Sequence, residues 1–360
     1  MRIFYAVQAT GNGHIARAME VVPHLQKYGE VDIFLSGNNS SLQIDLPVKY
    51  RSNGVSLFYG KNGNLNYSKI ISSFSPFSIW REACELPVEK YDIVINDFES
   101  VSALACRIKK KPFIHFGHQA SFVSSNTPRP HIKDKVGEWV LRNYASSPYS
   151  IGLHFHTYDE FIYSPIIKQE ILEAQPVNKG HVTIYLSQYD DTFLSKYLES
   201  LSEVEFHLFS KSAKQITRLK NITIFPVDKQ LFDKSMIESF GIITGAGFET
   251  PSEAMYLKKK LLCIPISGHY EQLCNAVALK KMNVTVLEKI NEVLPLDIQR
   301  WLGNGSQGKL ILHQTTEQIV DNVVRMGKVL FTNSDFASSD ETDTSFHSEW
   351  IKKGQFTEVN

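Results

Sequence analysis

Short runs of consecutive apolar residues alternate along this chain with stretches in which apolar positions recur every three or four residues. RIFYAV, VDIFLS, YDIVIND and KPFIHFG in the first half read as strands, as do HVTIYLS, VEFHLFS, ITIFPV, GIITGAG and KLLCIPI in the second. Stretches such as IARAMEVVPHLQKYG, SVSALACRIKK, TFLSKYLESL and TPSEAMYLKK read as the helices between them. Near-continuous apolar strands suit burial on both faces, and strand–helix alternation predicts parallel sheets covered by helices. The alternation lapses over residues 164–180, where Pro165, Pro176 and Gly180 punctuate the chain, and then restarts. The pattern predicts an α/β protein with a domain over 1–163, a linker over 164–180 and a second domain over 181–332. Residues 333–360 are polar and read as a tail or a last helix docked by Phe346 and Trp350.

The segment SKIISSFSPFSIW places Ile70, Ile71, Phe74, Phe77 and Trp80 at roughly helical spacing. Core packing is the first reading. An exposed patch meeting a membrane surface or a lipid-linked ligand is the second.

The chain has 360 residues, which favours two cores over one. Its 38 basic residues balance its 38 acidic ones, so nucleic acid is not an expected partner. The four cysteines lie far from any CxxC pattern, and Cys106 and Cys263 sit in apolar contexts as buried thiols. With no apolar run of membrane-spanning length, the expectation is a cytoplasmic protein. The two triple-lysine runs, Lys109 to Lys111 and Lys258 to Lys260, read as solvated helix ends, and Asp190-Asp191 as a solvated loop pair and not a metal site.

Two glycine-rich turns carry the candidate chemistry. In the first, Gly11-Asn12-Gly13 joins a strand to a helix that begins with His14. A dinucleotide site would place an acid at the end of the following strand, where Ser36 and Gly37 stand instead. That weakens a dehydrogenase reading and leaves His14 in the crevice above the strand ends. The alternative for His14 is a helix cap. For Asp97, which ends YDIVIND, it is a cap on the helix near Ser100. In the second turn, Gly245-Ala246-Gly247 ends a buried strand, Thr250 is the expected N-cap and Pro251 suits the first turn of the helix that follows. Backbone N–H groups there suit a diphosphate. Glu253 lies early in that helix, and the loop SGHYEQLCN offers Glu271, Gln272 and Asn275.

The order Thr244-Gly245-Ala246-Gly247, Glu253, Pro265, Glu271-Gln272 and Asn275-Ala276 resembles the donor signature of GT-B glycosyltransferases, in the branch of MurG and the UDP-glycosyltransferases. GNGHIARA is similar to that family's glycine-rich turn with histidine, and YDIVINDFES to the strand whose Asp partners it. Ala246 and Ser187-Gln188 depart from the glycine-rich sequences of MurG itself.

The resemblance implies two tandem Rossmann-like domains with a cleft between them. It also implies an inverting hexosyltransferase without metal or cofactor, its substrate a UDP-linked nucleotide-sugar. Gly245, Ala246 and Gly247 would hold the diphosphate, Glu253 the ribose, and Glu271, Gln272 and Asn275 the sugar. Gly11, Gly13, His115 and His118 would line the acceptor cleft of the first domain. His14 would act as base with Asp97 orienting its ring. The acceptor would be a small molecule, a glycan or a lipid-linked compound, as in cell-envelope polysaccharide assembly, at the inner face of the membrane in the lipid case. The rivals are an epimerase or hydrolase of the same fold and a non-catalytic nucleotide-sugar-binding protein.

Overall fold

The computed structural model describes residues 1–9, 11–37, 46, 48–54, 75–304 and 307–336. Two seven-stranded sheets follow one another along the chain. The first contains β1 (Arg2–Gln8), β2 (Glu30–Ser36), β3 (Val48–Ser52), β4 (Ile93–Asp97), β5 (Ile114–Gly117), β6 (Tyr149–Leu153) and β7 (Ile162–Tyr163), in the order β3-β2-β1-β4-β5-β6-β7. The second contains β8 (Val182–Tyr185), β9 (Phe206–Ser210), β10 (Thr217–Leu219), β11 (Ile222–Pro226), β12 (Gly241–Thr244), β13 (Lys260–Cys263) and β14 (Thr285–Val286), in the order β10-β11-β9-β8-β12-β13-β14. Among the described strands, only β10 pairs antiparallel. This is the GT-B architecture of two Rossmann-like domains.

The sequence explains the central strands. All but the first residue of β1 is buried, because helices cover both faces of the sheet. In the helix Asn12–Gln26, Ile15, Ala18, Val21, Val22 and Leu25 form the buried stripe, at spacings of three and four.

The strand order creates a switch point in each sheet. The chain leaves β1 toward β2 on one side and returns to β4 on the other, so a crevice opens beyond the C-terminal ends of β1 and β4. The second sheet repeats this between β8 and β12. Each glycine turn sits at one of these two points.

Several segments pack differently from expectation. Within 164–180, Ile166, Ile167 and Ile171 are buried in the main core, so this connection is firmly packed. The helix Thr316–Phe336, reached through the second domain, lies against the first: Lys27 pairs with Glu317, and Gly327 faces the Ile93 side chain. The stretch expected to belong to the second domain through 332 therefore crosses back at 316 and completes the helical layer of the first sheet.

Lys259 is not solvated. It is buried, and its Nζ donates to the Val177 and Ser239 carbonyls at 2.6 and 2.7 Å, with burial lowering its pKa to about 8. Asp190 caps the helix Asp191–Leu198 through Thr192 N–H, and Asp191 accepts from Ser210 and Ser212. Both acids are used by the protein, and no group of metal-binding side chains forms among the described residues. Cys106 and Cys263 are buried free thiols, as expected. Phe346 and Trp350 lie outside the described residues, and no described helix is long and apolar enough to cross a membrane.

Candidate active site

β1 and β4 run side by side with Val7 opposite Asp97, so the turn after β1 and the end of β4 meet. His14 is the third residue of its helix and caps nothing: the N-cap is Gly11, with no side-chain bond. Its Nδ1 lies 2.7 Å from Asp97 Oδ1. Asp97 is equally free of capping duty, because Glu99 accepts from Val101 and Ser102 N–H and caps the helix Ser100–Ile108.

Asp97 is completely buried and gathers donors. Tyr5 Oη donates at 3.2 Å, Arg17 Nε at 2.9 Å to Oδ2, and Arg17 Nη2 at 2.7 Å to Oδ1. Burial alone would raise the carboxyl's pKa, but the charges of Arg17 and His14 outweigh it and hold the group well below the usual carboxylate range. Asp97 is therefore an ionised acceptor. His14 Nδ1 lies between this carboxylate and Arg17 Nη2, 2.9 Å away, and its Nε2 points away from Asp97.

His14 Nε2 faces Gln119, which in turn reaches the second domain. Gln119 Nε2 lies 3.4 Å from His14 Nε2 and donates at 3.0 Å to Glu271 Oε2. One carboxamide thus spans from the histidine to the expected sugar-facing carboxylate. Arg17 also crosses the cleft, its Nη1 donating to Glu249.

Two glycines make this packing possible. A Cβ at Gly13 would lie 2.4 Å from Glu249 Oε2. Gly117 has φ +109°, and a Cβ there would lie 2.9 Å from Asp97 Oδ1.

On the second domain, the helix Glu249–Tyr256 begins two residues earlier than expected, with Phe248 as its N-cap in place of Thr250. Pro251 still falls in the first turn, where its missing N–H costs nothing. Gly247 has open space around its Cα, and Gly245 packs near Gln272. Gln272 Oε1 accepts from Ile266 N–H at 2.9 Å in the segment after β13, and Asn275 Nδ2 donates to the Ala246 carbonyl at 3.2 Å, so Asn275 braces the turn. Glu253 is buried beneath it. Lys168 lies 3.3 Å from its Oε2, and burial raises the Glu253 pKa to about 7 against that cation.

The two other expected cleft histidines lie deeper. His118 is 1% exposed; its Nε2 is 2.8 Å from Asn275 Oδ1, and its ring stacks on Phe248 at 4.0 Å, so it fastens the two domains together. His115 is buried on β5 behind Asp97, stacked on Phe98, with neither ring nitrogen hydrogen-bonded. It does not line the cleft, because alternation along the strand puts it on the face of the sheet where Phe98 packs. Gly11 is partly exposed, with nothing near its Cα. Phe77 and Trp80 stack on each other and are 72% and 54% exposed, which corrects the core reading for both. Ile70, Ile71 and Phe74 lie outside the described residues.

Sequence reasoning missed Arg17, Gln119 and Glu249. Arg17 was visible in principle, since it lies one helical turn after His14 and so on the same face. Nothing local pairs Arg17 with Glu249, 232 residues away.

A family model described as glycosyl transferase family 1 matches residues 1–304. No curated protein matches. Among solved structures, the chain is similar to Arabidopsis thaliana UGT89C1 complexed with UDP-L-rhamnose, at 12% identity and a TM-score of 0.60, covering 91% of this chain and 99% of that one. It is similar to UDP-N-acetylglucosamine 2-epimerase from Rickettsia bellii, at 13% identity and a TM-score of 0.58, covering 92% and 97%. It is also similar to Acinetobacter baumannii MurG, at 16% identity and a TM-score of 0.52, covering 90% and 99%.

Proposed function

Because the chain belongs to glycosyl transferase family 1, we propose that this glycosyltransferase moves a hexose from a UDP-sugar to an acceptor hydroxyl with inversion, His14 serving as the base. The observation that carries the reading is the His14–Asp97 pair, whose Nε2 is linked through Gln119 to Glu271 across the cleft.

The chemistry is a single displacement. His14 Nε2 takes the acceptor hydroxyl's proton as the oxygen attacks the anomeric carbon. The bond from that carbon to the UDP oxygen breaks, and its electron pair leaves with the diphosphate. Asp97 supports the imidazolium formed. The amides of the Gly245–Gly247 turn and the positive end of the helix Glu249–Tyr256 meet the diphosphate charge. Glu253 takes the ribose through the oxygen that Lys168 does not engage, and Asn275 holds the turn in shape. Glu271 and the Nε2 end of Gln272 contact sugar hydroxyls. The acceptor, a small molecule, a glycan or a lipid-linked compound, enters beside Gly11 and Gly13. This chemistry calls for neither metal nor cofactor.

A thermal-shift panel of UDP-, GDP- and dTDP-sugars tests the donor. A nucleotide at 100 times its dissociation constant adds about 2.7 kcal/mol to stability, and the UDP-sugars are expected to give the largest shift. NMR of the same UDP-sugar without acceptor separates transfer from the epimerase reading. Slow release of sugar and UDP fits a transferase using water, whereas a sugar inverted at C2 contradicts it.

A further inference from the structure

Asp97 answers to two partners at once. Arg17 chelates both of its oxygens, and His14 Nδ1 shares Oδ1 with Arg17 Nη2, each at 2.7 Å. When His14 accepts a proton, Asp97 has to offset the new positive charge. Arg17, whose side chain is 2% exposed, has already neutralised it. Taken alone, Arg17 and Asp97 sum to zero charge beside the histidine.

Glu249 changes that sum. It binds the remaining nitrogen of Arg17, and it belongs to the other domain, at the first position of the helix after the second glycine turn. With Glu249 in place the three groups carry one net negative charge, and without it they carry none. The seat is built for that carboxylate, since any side chain at Gly13 would fill it. Charges at this range in a site poor in water interact strongly.

We propose that Arg17 is a positioning residue and that its bond to Glu249 ties closure of the cleft to the strength of the His14–Asp97 pair. The inference rests on the reading of His14 as the base. Closure brings the charge of Glu249 to Arg17, and Asp97 becomes available to the imidazolium. Opening withdraws Glu249, and Arg17 then draws on Asp97 alone. The device withholds the charge of Asp97 from the imidazolium until the two domains have met. Its effect falls on the charge that develops during reaction, so it changes turnover more than donor affinity.

A double-mutant cycle tests this, using Glu249→Gln and His14→Ala, alone and together. Saturated turnover and KM are measured as UDP release, with water as acceptor, from the UDP-sugar that most stabilises the protein in the thermal panel. Glu249→Gln alone should lower kcat about tenfold with KM within about twofold. Glu249→Asp, which keeps the charge, should recover part of that loss. In the His14→Ala background the substitution should cost almost nothing further. An equal loss in both backgrounds, or an unchanged kcat, would overturn the proposal. Full turnover in His14→Ala alone would overturn the base reading instead, so the two failures are told apart.

Discussion

His14 Nδ1 and Asp97 Oδ1 lie 2.7 Å apart although 83 residues separate them in sequence. The contact exists because β1 and β4 are neighbours at the switch point of the first sheet. It turns one histidine nitrogen toward a buried carboxylate and the other toward Gln119 in the cleft.

Asp97→Asn should damage both folding and chemistry. It leaves the guanidinium of Arg17 buried against a neutral amide, and breaking a buried pair costs about 3–5 kcal/mol. It also permits the wrong histidine tautomer, which lowers turnover by up to about 10⁴ in a triad of the same logic. Urea midpoints and kcat on the same sample check both effects. A variant as stable as the parent would mean that Asp97 does not anchor Arg17.

Gly117→Ala should destabilise the protein by about 1–3 kcal/mol, since its φ of +109° is strained for any side chain and its Cβ would press on Asp97. Chemical denaturation measures the loss. Gly247→Ala, where the surrounding space is open, is the control and should unfold close to the parent.

His115 should make the protein acid-sensitive. Burial lowers its pKa to about 4, so the folded state favours the neutral ring. The stability this contributes is present above the ordinary value near 6.5 and is lost as pH falls from there through about 4. His115→Leu should remove that component, worth up to about 3 kcal/mol. Urea midpoints of parent and variant at neutral pH and near pH 4.5 give the comparison. An identical loss in both would place the acid sensitivity elsewhere.

The sequence made the parallel α/β architecture and both glycine turns legible, because strands buried on two faces and turns rich in glycine leave local signals. The pairing of His14 with Asp97 was legible through the resemblance of GNGHIARA and YDIVINDFES to the family's histidine turn and aspartate strand. Other features depend on distant parts of the chain. The return of the helix Thr316–Phe336 to the first sheet is set by packing against residues such as Ile93, and no local pattern announces it. Lys259 looks like a solvated charge, but its burial depends on carbonyls of Val177 and Ser239. Phe77 and Trp80 have the spacing of a core stripe, and periodicity alone does not say which side of a helix is covered.

Glu253→Ala should weaken UDP binding by about 1.5–3 kcal/mol, the usual worth of a hydrogen bond to a charged group. Lys168 keeps its bond to Asp233 in this variant, so the fold should survive. Calorimetry with UDP measures the effect, and an unchanged affinity would remove Glu253 from the ribose site.

The most direct test of the account measures UDP affinity and saturated turnover on one variant, His14→Ala. Here His14 serves the acceptor, while UDP is held across the cleft by the Gly245–Gly247 turn. The predicted result is a UDP affinity close to the parent's with turnover lowered by about 10²–10⁴, the usual contribution of a general base. Weakened UDP binding with turnover retained at saturating donor would contradict it and make the histidine part of a phosphate cradle.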